Sequence, residues 1–289
     1  MTAIIEVKDL WKVYGRNAAD VDVEDEDLIS QLDESDETVV AIRGISFEVQ
    51  KGEVFVVMGL SGSGKSTLIR SILRLVTPTS GDILVEGLNV SSMGEKELVE
   101  FRRNHVAMVF QHYGLLPHRT VLQNVAFGLK LKDIPQKERI ERSMAAIERV
   151  GLKGWEGYYP SSLSGGMRQR VGIARAIVMD APILLMDEPF SGLDPLIRRE
   201  MQDELVRLQE EMHKTIFFVT HDLDEAMRLG DRMAVMKNGE IVQLGHPSDI
   251  LANPADEYVS RFVQDKREQL RKADERAMAR AQEVVSHVS

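Results

Sequence analysis

The 289-residue chain has no cysteine, which excludes a disulfide framework, a thiolate zinc site and a Cys-held iron–sulfur cluster. It has no apolar run near the roughly 18–20 residues that cross a bilayer. Its longest such runs, Val54–Met58 and Ile183–Met186, are strand-sized. Charges at Glu6, Lys8, Asp9 and Lys12 leave no hydrophobic core for a secretory signal within Met1–Gly15. A soluble, cytosolic protein is the default expectation. A basic stripe is also missing, and with it the electrostatic footprint of a nucleic-acid binder, so no nucleic-acid partner is expected. At roughly 150 residues per domain, the length allows one large or two modest domains.

The net charge of −10 has a single source. Asp20–Glu37 holds ten acidic residues and no basic one, and the rest of the chain is formally neutral. That pattern predicts a neutral globule carrying a solvated acidic loop. The loop's extension would fall as salt shortens the Debye length, from about 10 Å at 0.1 M to about 3 Å at 1 M.

What is present alternates between buried strands and helices. Ile4–Val7 and Val39–Val49 read as strand-rich, and Asp82–Val85 as another strand. Val54–Met58, Ile183–Met186 and Thr215–Thr220 fit strands covered on both faces of a parallel sheet. Asn238-Gly239, between Met233–Lys237 and Glu240–Leu244, is a hairpin signal. Ser66–Leu75 and Gln136–Val150 read as helices, and Ile197, Met201, Leu205, Leu208 and Met212 mark one amphipathic face. The mixed-charge, Ala-rich stretch Gln264–Ser289 reads as a solvated helix or frayed end. The expectation is an α/β fold around a mostly parallel sheet, with a helical block inserted between two core strands.

Three segments carry chemistry. Gly59-Leu60-Ser61-Gly62-Ser63-Gly64-Lys65-Ser66-Thr67 fits the P-loop pattern, with an apolar strand before it and a helix after it. Glycines let successive N–H groups turn toward phosphates, and the helix dipole adds to their pull. Lys65 would reach the β- and γ-phosphates of ATP, and the Ser66 hydroxyl would hold Mg²⁺. Asp187 and Glu188 end an apolar strand. Asp187 is placed to hold Mg²⁺, and Glu188 to orient and deprotonate the attacking water. Ser164, Gly165 and Gly166 form a second anion-ready helix start, with Ser164 as its cap. One nucleotide does not need two such starts in one chain, so this one would serve a nucleotide held by another copy.

Gly59–Thr67, Gln111, Leu163–Gln169, Asp187-Glu188, Ser191–Asp194 and Thr220-His221-Asp222 stand in the order found in ATPase subunits of ABC transporters, which this chain resembles from about Ile4 to Val263. In that family they are the Walker A, Q-loop, signature, Walker B, D-loop and H-loop motifs. Longer stretches, among them Met58–Thr67, Pro117–Val121, Asp194–Leu205 and His221–Arg228, look closest to the ATPases of glycine betaine/proline importers.

The resemblance implies a P-loop NTPase (RecA-like) core, residues 1–95 and 180–245, with an antiparallel β subdomain. It also implies an inserted helical subdomain, 96–179, and a C-terminal helical extension, 246–289. Gln111 would touch Mg²⁺ and the water, His221 the γ-phosphate, and Tyr14 the adenine ring, with Trp11 as its rival. Asp194 would organise the contact between two copies. The implied protein is a dimer with two ATP sites at the cytoplasmic face of a membrane. It would drive integral-membrane permease subunits fed by a substrate-binding protein. Some betaine-importer ATPases continue into paired CBS domains, which are not expected in a chain ending at Ser289. An ABC ATPase for another solute is the alternative, and a non-transport ABC ATPase a more distant one.

Overall fold

The computed structural model describes residues 2–15, 18, 21–23, 25, 28, 29, 32, 37–264 and 266–268. Most of the acidic stretch 20–37, and the tail from 269 onward, lie outside the described residues. In chain order the strands are β1 (Ala3–Gly15), β2 (Thr38–Gln50), β3 (Val54–Gly59), β4 (Ser80–Val85), β5 (Leu88–Asn89), β6 (Val106–Val109), β7 (Ile183–Asp187), β8 (Thr215–Thr220), β9 (Arg232–Lys237) and β10 (Glu240–Gly245). The helices are α1 (Lys65–Ile72), α2 (Glu95–Asn104), α3 (Val121–Val125), α4 (Phe127–Leu131), α5 (Gln136–Arg149), α6 (Gly165–Ile177), α7 (Pro195–Met212), α8 (Leu223–Leu229) and α9 (Pro247–Ala252).

Six strands form the main sheet, in the order β10-β9-β3-β8-β7-β6. All neighbours in it are parallel except the β9–β10 hairpin. Asn238 (φ 48°) and Gly239 (φ 85°) close that hairpin with two left-handed residues, as an Asn-Gly turn requires. Strands β2-β1-β4-β5 make a separate antiparallel sheet. Along β3 the side chains alternate between two cores. Val54, Val56 and Met58 face the core shared with α6 and α7, while Phe55 and Val57 face the core shared with β1, β2 and α1. Phe47 of β2 stacks on Phe55 and Phe217, with ring centroids 5.2 and 6.0 Å apart, and so joins the two sheets. Aromatic contacts of this kind add about 0.5–1.5 kcal/mol to the burial itself.

Two elements differ from the sequence expectation. Strand β1 continues eight residues past Val7, to Gly15. Asp9 takes a left-handed φ of 45°, and the pairing shifts register between Val7 and Leu10. That irregularity breaks the period-2 pattern that would have revealed the strand. Strand β6 falls inside the stretch 96–179 expected to be helical, yet it pairs with β7 as the edge of the main sheet. Four residues, Val106-Ala107-Met108-Val109, are too few to show a period. No helix among the described residues is long and apolar enough to cross a membrane.

Candidate active site

Adjacent parallel strands bring the chemical residues to one edge. Met58 stands beside Thr220, Asp187 beside Val219, and Val109 beside Met186. The residues that follow these strands therefore emerge side by side: the Gly59–Thr67 turn after β3, His221 after β8, Glu188 after β7 and Gln111 after β6. Open α/β sheets bind ligands at this carboxyl edge. Here the edge borders a cleft of about 970 Å³, lined among others by Tyr14, Ser61–Thr67, Gln111, Glu188 and His221.

The Gly59–Thr67 turn is built by close approach. Gly64 precedes α1 with φ 101°, and a Cβ there would lie 2.3 Å from the Ala41 carbonyl oxygen. Only glycine fits, so the chain enters α1 with its first N–H groups turned to the cleft. Lys65 is buried, and its Nζ donates to the carbonyls of Gly59 (2.8 Å) and Leu60 (2.9 Å). Burial lowers its pKa, and the carboxylates of Glu188 and Asp187 oppose that shift. Ser66 Oγ donates to Asp187 Oδ1 at 3.0 Å. Burial raises the pKa of Asp187, against the Ser66 hydrogen bond and the Arg70 guanidinium 3.7 Å away.

This donor set suits Mg²⁺ with a phosphate chain. A hydroxyl and a carboxylate, both hard oxygens, stand together. An ammonium lies within the same turn, and Ser63 Oγ is buried with no partner among the described residues.

Glu188 stands opposite. Its Oε2 accepts from Gln111 Nε2 at 3.4 Å and lies 3.1 Å from His221 Nδ1. A carboxylate cannot donate, so Nδ1 carries the proton in that contact. Glu188 has φ 44°, a left-handed conformation costing of order 1–3 kcal/mol in a non-glycine residue. Its N–H bonds Val219 O at 2.9 Å, and Ser191 Oγ bonds its carbonyl at 2.9 Å, which pins the backbone in place.

Tyr14 lines the cleft, half-exposed, with Lys12 Nζ 4.9 Å from its ring centroid. Trp11 does not line it; its Nε1 donates to Asp9 Oδ1 at 3.1 Å. Ser164, Gly165, Gly166 and Asp194 lie outside the cleft. Ser164 caps α6 by accepting from Met167 N at 3.2 Å, and Asp194 caps α7 by accepting from Ile197 N at 3.1 Å. Both are exposed.

Sequence reasoning missed Val39, Arg43 and Asn238 at the cleft, and Arg70 beside Asp187. Asn238 was legible only as a turn. Nothing in the sequence signals that Arg43 Nε donates to its carbonyl at 3.0 Å, across 195 residues.

The ABC transporter family model matches residues 42–191. The glycine betaine/proline betaine transport system ATP-binding protein ProV of Salmonella typhimurium is 50% identical over 264 residues, 91% of this chain and 66% of that protein. The trimethylamine N-oxide transport system ATP-binding protein TmoW of Pelagibacter ubique is 49% identical over 263 residues, 91% of this chain and 77% of that one. This chain thus spans about two thirds of the length of the first of these relatives. Among solved structures, a dimeric ATP-binding cassette in a post-hydrolysis state bound to ADP and Pi matches with a TM-score of 0.72 and 30% identity, over 84% of this chain and 98% of the other. By the family model, by half-identity to these relatives and by the cassette fold, the chain belongs to the ABC transporter family.

Proposed function

We propose that this chain binds and hydrolyses ATP and couples that hydrolysis to uptake of glycine betaine/proline-type osmoprotectants. The observation that carries the reading is one cleft lined by a buried ammonium, by Ser66 with Asp187 hydrogen-bonded behind it, and by the Glu188 carboxylate held by Gln111 and His221. Lys65 and the N–H groups at the start of α1 bind the β- and γ-phosphates, and the Tyr14 ring stacks on adenine. Ser66 and Asp187, with Gln111, would hold Mg²⁺, and that ion would supply positive charge against the phosphates. A water oxygen bonds to the γ-phosphorus as the bond to the ADP oxygen breaks. Glu188 accepts the water's proton, and His221 steadies the γ-phosphate.

Ser164, Gly165, Gly166 and Asp194 lie outside the cleft, so they act on a nucleotide held by a second copy. Two chains then enclose two ATP molecules, as the dimeric cassette relative supports. The dimer is peripheral at the cytoplasmic face of the membrane, docked on permease subunits that receive solute from a binding protein. The relatives' solutes, glycine betaine, proline betaine and trimethylamine N-oxide, share a methylated nitrogen. That chemistry defines the proposed cargo.

Two measurements test the reading. The purified chain should hydrolyse ATP only with Mg²⁺. Reconstituted with its permease and binding protein, it should drive uptake of labelled glycine betaine or trimethylamine N-oxide. Mg²⁺-dependent hydrolysis without uptake of any methylated amine would leave an ABC ATPase for another solute.

A further inference from the structure

A hydroxyl from the C-terminal part of the chain reaches the phosphate-binding turn. Residues 257–264 are helical, and Val259 and Val263 are buried in the core that also holds Val54, Val56 and Met58. The Tyr258 ring lies against Phe262, with centroids 6.1 Å apart, and Lys237 Nζ sits 5.1 Å from its centroid. Its hydroxyl accepts from Leu60 N at 3.3 Å and donates to the Met236 carbonyl at 3.2 Å.

The Leu60 N–H belongs to the same peptide group as the Gly59 carbonyl. A peptide bond is planar and trans, so holding the N–H in one direction aims the carbonyl in the opposite one. That Gly59 carbonyl accepts from Lys65 Nζ at 2.8 Å. The Met236 carbonyl is fixed against the same turn: a Cβ on Gly59 would lie 2.3 Å from it. Tyr258 Oη therefore ties the end of β9 to one of the two peptide planes whose carbonyls hold the Lys65 ammonium.

We propose that Tyr258 is a positioning residue of the phosphate site. It orients the Gly59–Leu60 peptide, and through it Lys65, toward the β- and γ-phosphates. The inference rests on the ATP reading above. It assigns to a residue 193 positions from Lys65 in sequence a share of nucleotide affinity that no P-loop pattern contains. Because ring packing and hydroxyl bonding are separate, Tyr258→Phe removes only the latter.

The test uses the full chain, with Phe262→Leu as a control that disturbs the ring contact but not the hydroxyl. Displacement of a fluorescent ATP analogue gives Kd for ATP and AMP, and hydrolysis gives KM and kcat. One net hydrogen bond corresponds to about 3- to 10-fold in affinity. Tyr258→Phe is expected to raise the ATP Kd by about that factor. The AMP Kd, kcat at saturating ATP and Tm should stay nearly unchanged, because AMP has no β-phosphate for Lys65 to hold. Phe262→Leu should lower Tm and leave the ATP-to-AMP ratio alone. Equal loss of ATP and AMP binding in Tyr258→Phe, or no loss, would overturn the assignment. Wild-type chain that failed to bind ATP would instead overturn the site reading itself.

Discussion

Glu188 is a carboxylate made useful by its backbone. The residue precedes Pro189, a position biased toward extended conformations, yet its φ is 44°. Bonds from its N–H to Val219 and from Ser191 to its carbonyl hold that conformation and turn the side chain between Gln111 and His221. If the carboxylate takes the water's proton, the isosteric amide fails at that step alone. Glu188→Gln should lower kcat by about 10²- to 10⁴-fold, with ATP affinity retained. It should also accumulate as an ATP-bound dimer on size-exclusion chromatography. Lys65→Ala should do the reverse: it removes the cation that faces the phosphates, so binding itself weakens. Near-normal turnover by Glu188→Gln in a single-turnover assay would rule out the base role.

At the scale of elements, helix α8 begins beside the site on a buried carboxylate. Glu225 Oε2 accepts from Thr220 Oγ1 at 2.5 Å and Oε1 from Gln202 Nε2 at 3.4 Å, with Asp222 and Arg198 as the nearby charges. Burial raises its pKa; Asp222 adds to the shift, while the Thr220 and Gln202 bonds and Arg198 oppose it. A carboxylate raised in the folded state contributes stability that is complete below its unfolded pKa, about 4.3, and is lost as pH rises through the folded value. Glu225→Gln should therefore gain stability over the wild type at pH 8 and lose that advantage near pH 4. Urea midpoints at the two pH values decide it, and an equal difference at both would contradict the burial argument. The elements that carry the site were legible because each is short and apolar and ends in a chemical residue: β3 in the P-loop, β7 in Asp187-Glu188, β8 in His221. Their order in the sheet was not legible, because local pattern says nothing about which strands pair. Gln111 could be nominated only by resemblance, since it follows β6, a four-residue strand with no readable period. Tyr258 and Arg43 stayed hidden because their contacts cross 198 and 195 residues.

At the scale of the whole molecule, the proposed dimer would have each chain carry half of two sites. The cleft lined by the Gly59–Thr67 turn is on one region, and the α6 and α7 starts, with exposed Ser164 and Asp194, are elsewhere. A substitution in the second region should leave ATP binding by a single chain intact and still stop hydrolysis. The choice of position matters. A Cβ on Gly166 would meet Ile197 Cγ2 at 2.4 Å, so a change there disturbs packing. Ser164→Ala removes the cap of α6, at a cost of about 1 kcal/mol. A Cβ on Gly165 meets only Tyr113 Oη at 3.4 Å and Leu193 Cδ2 at 3.6 Å. An acidic residue in a helix's first turn also suits the helix dipole. Gly165→Asp should therefore fold with near wild-type Tm and bind ATP normally as a monomer. Its carboxylate would face the phosphates of the partner's nucleotide, so the homodimer should be inactive. Lys65→Ala homodimers should be inactive for the opposite reason. In a mixture, a heterodimer pairs the sound phosphate cleft of the Gly165→Asp chain with the sound α6 start of the Lys65→Ala chain, while its other site carries both defects. Hydrolysis should return when the two inactive proteins are combined, and should grow with the heterodimer fraction measured by native mass spectrometry. No recovery despite confirmed heterodimers, or loss of ATP affinity in monomeric Gly165→Asp, would place both glycines and the P-loop in one self-contained site.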